Sequence, residues 1–113
     1  LYVHGDADTN HPIEGGAGSG IAGVEFTSVE DSLATWVAID GCEPDADETP
    51  GQAISTTTWG GCDDGTEVEL QVLHGAPHPW PGGERTSRMA DEPSDALDAT
   101  TAVWDFFEQH PRR

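Results

Sequence analysis

Apolar residues recur along this chain with two different periods. After Ser28, the side chains of Val29, Leu33, Trp36 and Val37 repeat at helical spacing as far as Ile39. Ser28-Val29-Glu30-Asp31 resembles a capping box and Gly41 is a suitable stop, so the spacing predicts an amphipathic helix. Further on, Val68, Leu70 and Val72 alternate with Glu67, Glu69 and Gln71, the two-residue period of a strand from Glu67 to His74. Ile54 to Trp59 is rich in threonine and β-branched residues, which predicts a partner strand, and the Asp64-Gly65 turn makes a hairpin of the two. Leu1 to His4 reads as another strand, leading into a glycine-rich loop from His11 to Gly23. Ser94 caps a predicted last helix that reaches about Gln109, with Leu97, Val103, Trp104 and Phe107 on its apolar side and Pro111 ending it. Trp36, Trp59 and Trp104 are expected in or near the core, and the acidic run from Asp45 to Glu48 on a solvated loop.

The predicted order of strand, loop, helix, strand pair, loop and helix fits the closing third of an α/β sandwich. At 113 residues the chain has room for one core. The first residue is Leu1 rather than Met, inside a predicted strand, so a longer protein is expected to begin upstream. In such a fold the loops after Leu1 to His4 and after Glu67 to His74 lie at the carboxyl ends of neighbouring strands, where open α/β sheets place their active sites.

Charge narrows the partners. The formal net charge is -18, with 22 carboxylates against four arginines and no lysine. Nucleic acid and anionic membranes both require a basic face and are disfavoured. Four tryptophans and the periodic apolar stretches argue for a folded chain rather than an acidic disordered one, and the surface is of a halophilic kind. Cys42 and Cys62 lack the paired spacing of a zinc site. A disulfide is the expected state, ahead of free thiols, and it implies an oxidising compartment and a secreted protein.

The two strand-end loops carry the candidate chemistry. The first reads His4-Gly5-Asp6-Ala7-Asp8, the second His74-Gly75-Ala76-Pro77-His78-Pro79-Trp80. In acyl transfer a carboxylate must hold one imidazole nitrogen while the other serves a nucleophile, and an Asp and a His on adjacent strand ends suit that need.

The segments His4-Gly5-Asp6-Ala7-Asp8-Thr9-Asn10-His11-Pro12-Ile13-Glu14-Gly15-Gly16, Ser28 to Cys42, Gly75-Ala76-Pro77-His78-Pro79-Trp80-Pro81-Gly82-Gly83 and Val103-Trp104-Asp105-Phe106-Phe107 resemble the C-terminal half of the polyhydroxybutyrate depolymerase and feruloyl esterase family. The likeness spans nearly the whole chain. It implies that residues 1–113 form the C-terminal portion of an α/β-hydrolase domain, with Asp8 as triad acid and His78 as base; Trp80, beside His78, either packs against the histidine loop or lines the acyl pocket as a substrate-binding residue. Asp6 stands where the family has threonine, which leaves a second carboxylate as rival for the acid. His11 and Ile13 replace the family's Val and Tyr, and Ala76-Pro77 replaces a glycine pair before the histidine. The implied activity is hydrolysis of a hydroxyalkanoate or feruloyl-type ester, without cofactor. The nucleophilic serine would precede the acid and the base, in polypeptide upstream of Leu1. The chain alone is then expected to be inactive.

Competing patterns are weaker. Ser19 lies between glycines, but Ala17 and Ile21 occupy the glycine positions of a nucleophile elbow, and it follows Asp8. Gly18 to Gly23 satisfies G-x-G-x-x-G without a strand expected immediately before it. Asp6-x-Asp8-x-Asn10 begins like a calcium loop, yet His11 and Ala17 replace the required glycine and glutamate. His4, Asp6, Asp8, His11, His74 and His78 match no metal-site spacing. The rival function is a non-catalytic acidic module binding carbohydrate or calcium, which predicts that Asp8 and His78 lie far apart.

Overall fold

A computed structural model describes residues 1–112. Six strands and two helices follow in order: β1 Tyr2–Gly5, β2 Gly16–Ala17, β3 Glu25–Phe26, α1 Val29–Ile39, β4 Asp47–Thr49, β5 Ile54–Trp59, β6 Val68–Leu73 and α2 Ala99–Gln109. Four strands form a mixed sheet in the order β1-β6-β5-β4, and β2 pairs with β3 in a separate ribbon.

The expected hairpin is present: β5 and β6 run antiparallel with Thr57 opposite Leu70 and Trp59 opposite Val68. The parallel pairing is between β1 and β6, with His4 opposite Val72 and Gly5 opposite Leu73. Because side chains alternate across a strand, Tyr2, Val68, Leu70 and Trp59 share the face against which α1 packs. Val29, Leu33 and Val68 are the buried centre there, with Tyr2, Ile13, Val37, Trp59 and Leu70 around them. Ser28 starts α1 as expected, its hydroxyl accepting the Asp31 N–H at 3.1 Å. The Cys42–Cys62 disulfide ties the end of α1 to the end of β5.

The architecture corrects the expected fold class. The last strands and helices of an α/β-hydrolase sandwich would be parallel strands joined by helical crossovers on both faces. Here one pair is parallel, and the other half of the sheet is an antiparallel meander of β6, β5 and β4. The threonine-rich β5 passes into β6 through residues 60–67, which hold only a single 3-10 turn at Asp63–Gly65, so no α-helix crosses between them, and this makes the sheet mixed. The ribbon β2–β3 has no place in that sandwich either.

Local expectations shift as well. The acidic segment forms an exposed edge strand, β4, on Thr56 to Thr58 of β5. The last helix begins at Ala99, capped by Asp98, whose carboxylate accepts the Thr101 N–H at 3.0 Å. Ser94 instead turns its hydroxyl to the Ala96 N–H and its carbonyl to the Gly82 N–H, so it closes a loop rather than opening a helix. Trp36 is 56% exposed and Trp104 is 65% exposed, against the expectation of core positions. The buried apolar set is small, and α2 contributes only Ala99 to it, which leaves Trp104 and Phe107 on an open helix face. Trp59 does pack on the core. Among the described residues no helix is long and apolar enough to cross a membrane.

Candidate active site

Parallel pairing of β1 with β6 sends the chain out of both strands at the same end of the sheet, and the loops are knitted together there. Asp6 N–H donates to the Leu73 carbonyl at 3.2 Å and Ala7 N–H to the Ala76 carbonyl at 3.1 Å. The fit is close at Gly5, where a β-carbon would collide with the backbone carbonyl of Ala76.

Asp8 and His78 meet in this junction. Nδ1 of His78 lies 2.8 Å from Asp8 Oδ2, and the His11 N–H donates to Asp8 Oδ1 at 2.9 Å. Asp8 is 7% exposed. Its burial pushes the carboxyl pKa up, but the His11 N–H, the His78 hydrogen bond and the charges of His78 and His4 together outweigh burial and hold it below the usual range. An ionised Asp8 can only accept, so the His78 nitrogen facing it must carry the proton. In the neutral ring Nε2 is then left with a lone pair, the tautomer a general base requires.

Two residues that the sequence reading assigned no role complete the support. His4 is buried beneath the pair, with Nε2 2.8 Å from the His11 carbonyl and 3.8 Å from Asp8 Oδ2. His11 stacks on Phe26 with ring centroids 4.1 Å apart. Desolvation by burial, then the nearby His4 charge, lowers the His11 pKa, which favours a neutral ring in that stack. His4 and His11 are legible as ionisable residues near Asp8, but the Phe26 on which His11 stacks lies in β3, whose two residues are too few to show a strand period.

Trp80 borders the same cleft of about 150 Å³, together with His78, Asp8, Pro77 and Val3. It is partly exposed, and its indole N–H donates to Thr100 Oγ1 at 3.1 Å, so α2 fixes the ring beside the pair.

Asp6 has a different partner. Its Oδ2 lies 2.9 Å from Nδ1 of His74 and its Oδ1 accepts the Gly75 N–H at 2.6 Å. These two bonds, the His74 one first, hold the Asp6 carboxyl below its usual pKa. The two candidate acids are thus separated by partner, Asp8 to His78 and Asp6 to His74.

The remaining candidates fall elsewhere. Ser19 hydrogen-bonds Asn10 Oδ1 at 3.0 Å and Thr9 Oγ1 at 3.2 Å, within its own loop. A two-residue strand, β2, does precede Gly18 to Gly23, but it leads into the β3 ribbon rather than a helix. Among the described residues no three histidine, cysteine or carboxylate side chains converge as a metal site. No protein-family model, curated protein or solved structure matches the chain.

Proposed function

We propose that Asp8 and His78 are the acid and the base of a serine ester hydrolase. The observation that carries this reading is the 2.8 Å bond between a buried carboxylate and the Nδ1 of a half-exposed imidazole. That polarity is the one acyl transfer needs: His78 accepts a hydroxyl proton at Nε2 and returns it to the leaving alcohol, while Asp8 fixes the tautomer and stabilises the imidazolium. The resemblance of the flanking segments to polyhydroxybutyrate depolymerases and feruloyl esterases supports an ester of a hydroxyalkanoate or a hydroxycinnamate, without cofactor. The Cys42–Cys62 disulfide supports secretion. A non-catalytic binding module is less well supported, since it gives no reason for Asp8 and His78 to meet.

Among the described residues no hydroxyl is hydrogen-bonded to Nε2 of His78. In this reading the serine comes from polypeptide preceding Leu1. The free edge of β1, with Trp36 and Phe107 near it, is where such polypeptide would join the sheet. The cleft of about 150 Å³ is smaller than the roughly 300–1,000 Å³ of most small-molecule sites, as expected of half a site.

The test joins the chain to its natural upstream polypeptide and assays feruloyl and 3-hydroxybutyrate esters. The joined protein should hydrolyse one of these classes, and D8N should lower kcat on the order of 10³–10⁴-fold. Full activity in H78Q would overturn the assignment, as would His78-dependent turnover by the isolated chain.

A further inference from the structure

Asp6, His74 and Ser55 form a second line of hydrogen bonds, and it includes a hydroxyl. Ser55 Oγ lies 2.7 Å from His74 Nε2, and His74 Nδ1 lies 2.9 Å from Asp6 Oδ2. The three come from three strands: Asp6 follows β1, His74 follows β6, and Ser55 is the second residue of β5. The register makes them neighbours. Val72 is opposite both His4 and Ser55, so the alternation of side chains puts Asp6, His74 and Ser55 on one face of the sheet.

The direction of each bond follows from the donor inventory. Asp6 accepts the Gly75 N–H with one oxygen and faces His74 with the other, so Nδ1 of His74 carries the hydrogen. Nε2 of the neutral ring is then an acceptor, and the 2.7 Å contact requires the Ser55 hydroxyl to donate to it. Gly51 N–H donates to the Ser55 oxygen at 3.3 Å, which leaves the hydroxyl hydrogen free for His74. Most other serine hydroxyls with partners here are ordinary backbone or cap contacts, such as Ser32 Oγ on the Ser28 carbonyl. The Asp6 and His74 side chains are 36% and 38% exposed and Ser55 is partly exposed, so a small reagent can reach the hydroxyl.

We propose that Ser55 is a base-activated nucleophile that takes an acyl group from activated esters, with His74 as its general base and Asp6 as the residue that positions His74. In the reaction the Ser55 oxygen bonds to the ester carbonyl carbon as its proton passes to His74 Nε2. The tetrahedral adduct then expels the alcohol or phenol oxygen, which takes that proton from His74. The products are an acyl ester on Ser55, a free alcohol or phenol and a neutral imidazole. His78 and Asp8 have no part in this step, so it stands or falls separately from the ester hydrolase reading.

The test incubates the whole chain with p-nitrophenyl acetate, follows nitrophenolate release and maps the acetyl group by peptide mass. The absence of lysine removes the usual competing side-chain amines, and the α-amino group is counted separately. The acetyl should sit on Ser55, at a rate whose pH profile levels off, as general-base assistance requires, rather than climbing with hydroxide. A general base typically contributes about 10²–10⁴-fold, so H74Q should slow the labelling by about a hundredfold or more and D6N should slow it too. An acetyl found only on other residues overturns the proposal. So does labelling of Ser55 at an unchanged rate in a folded H74Q chain, or a wild-type rate that climbs with hydroxide and never levels between pH 5 and 9. The mapping and the pH profile need no variant, so they decide even where a substitution prevents folding.

Discussion

The carboxylate of Asp8 is buried while the His78 ring that it holds at 2.8 Å is more than half exposed. Burial of the acid and exposure of the base divide two duties. Asp8 is a structural acceptor for the His11 N–H as well as a partner for His78, and removing it should expose both roles. D8A leaves the His11 N–H unsatisfied and should cost roughly 1–3 kcal/mol in urea unfolding. D8N keeps one carbonyl acceptor, so it should cost less, yet its amide N–H₂ cannot accept from Nδ1 and the His78 tautomer should change. Imidazole ¹⁵N shifts report that change. A D8A chain as stable as wild type would mean that the bond contributes nothing.

Acid should weaken the loop junction. Asp6 and Asp8 both have folded pKa values below the ordinary carboxylate range. A depressed carboxylate adds stability that is fully present above its unfolded pKa, near about 3.9, and is lost as pH falls through the lower folded value. Acidification also relieves repulsion within a chain of net charge -18, which acts in the opposite sense. The stability difference between wild type and D6N/D8N isolates the two groups. It should be largest at pH 6 and shrink towards pH 3 in urea titrations, and a constant difference would contradict the linkage.

The disulfide closes a span of 20 residues between Cys42 and Cys62, and that span holds β4 and β5. In the chain-entropy account a loop of this length is worth about 3 kcal/mol. The C42S/C62S chain should therefore lose on the order of 3 kcal/mol in denaturant unfolding, and β4, which pairs on one side only and is fully exposed, should be the first segment to exchange its amide protons. Equal stability of the oxidised and serine-substituted chains would show that the unfolded ensemble is already compact across this span.

The legibility of the molecule follows the strength of local periodicity. Val68, Leu70 and Val72 gave an unmistakable two-residue alternation, and Val29, Leu33 and Val37 a helical one; both elements are where the pattern puts them. β2 and β3 have two residues each, too few to carry any period. β4 is acidic because it is a solvated edge, so its composition reads as a loop. Trp36 and Trp104 misled because an apolar helix face implies burial only when something covers it. The Asp8–His78 pairing was suggested by the loop motifs and by parallel neighbours β1 and β6. Ser55 carried no motif: its nearness to His74 depends on the register of β5 against β6, which a threonine-rich strand does not reveal.

Salt should stabilise the fold. With 22 carboxylates and four arginines, few charges can be paired, and the Arg85–Glu92 contact at 2.9 Å is the one arginine–carboxylate ion pair among the described residues. The dominant surface term is repulsion, which molar salt screens to about 3 Å. The melting temperature should therefore climb between 0.1 M and 2 M KCl. An unchanged melting temperature would show that the acidic groups are too well hydrated and dispersed to repel.

Gly5 is the point at which backbone packing controls the chemistry. It ends β1 opposite Leu73, and a β-carbon there would meet the carbonyl carbon and oxygen of Ala76, rigid groups that cannot swing aside as a side chain tip can. The Ala76 carbonyl is also the acceptor for Ala7 N–H, so relieving the clash breaks the seam that keeps Asp8 beside His78. G5A should lose about 1–3 kcal/mol, the usual cost of overpacking, and should broaden or shift the Nδ1 proton signal of His78. Gly20 supplies the control, because a β-carbon there has no neighbour within 4 Å and G20A should stay within about 0.5 kcal/mol of wild type. If G5A matches G20A in both urea stability and the His78 signal, the close approach of the two loops is not what holds the pair together.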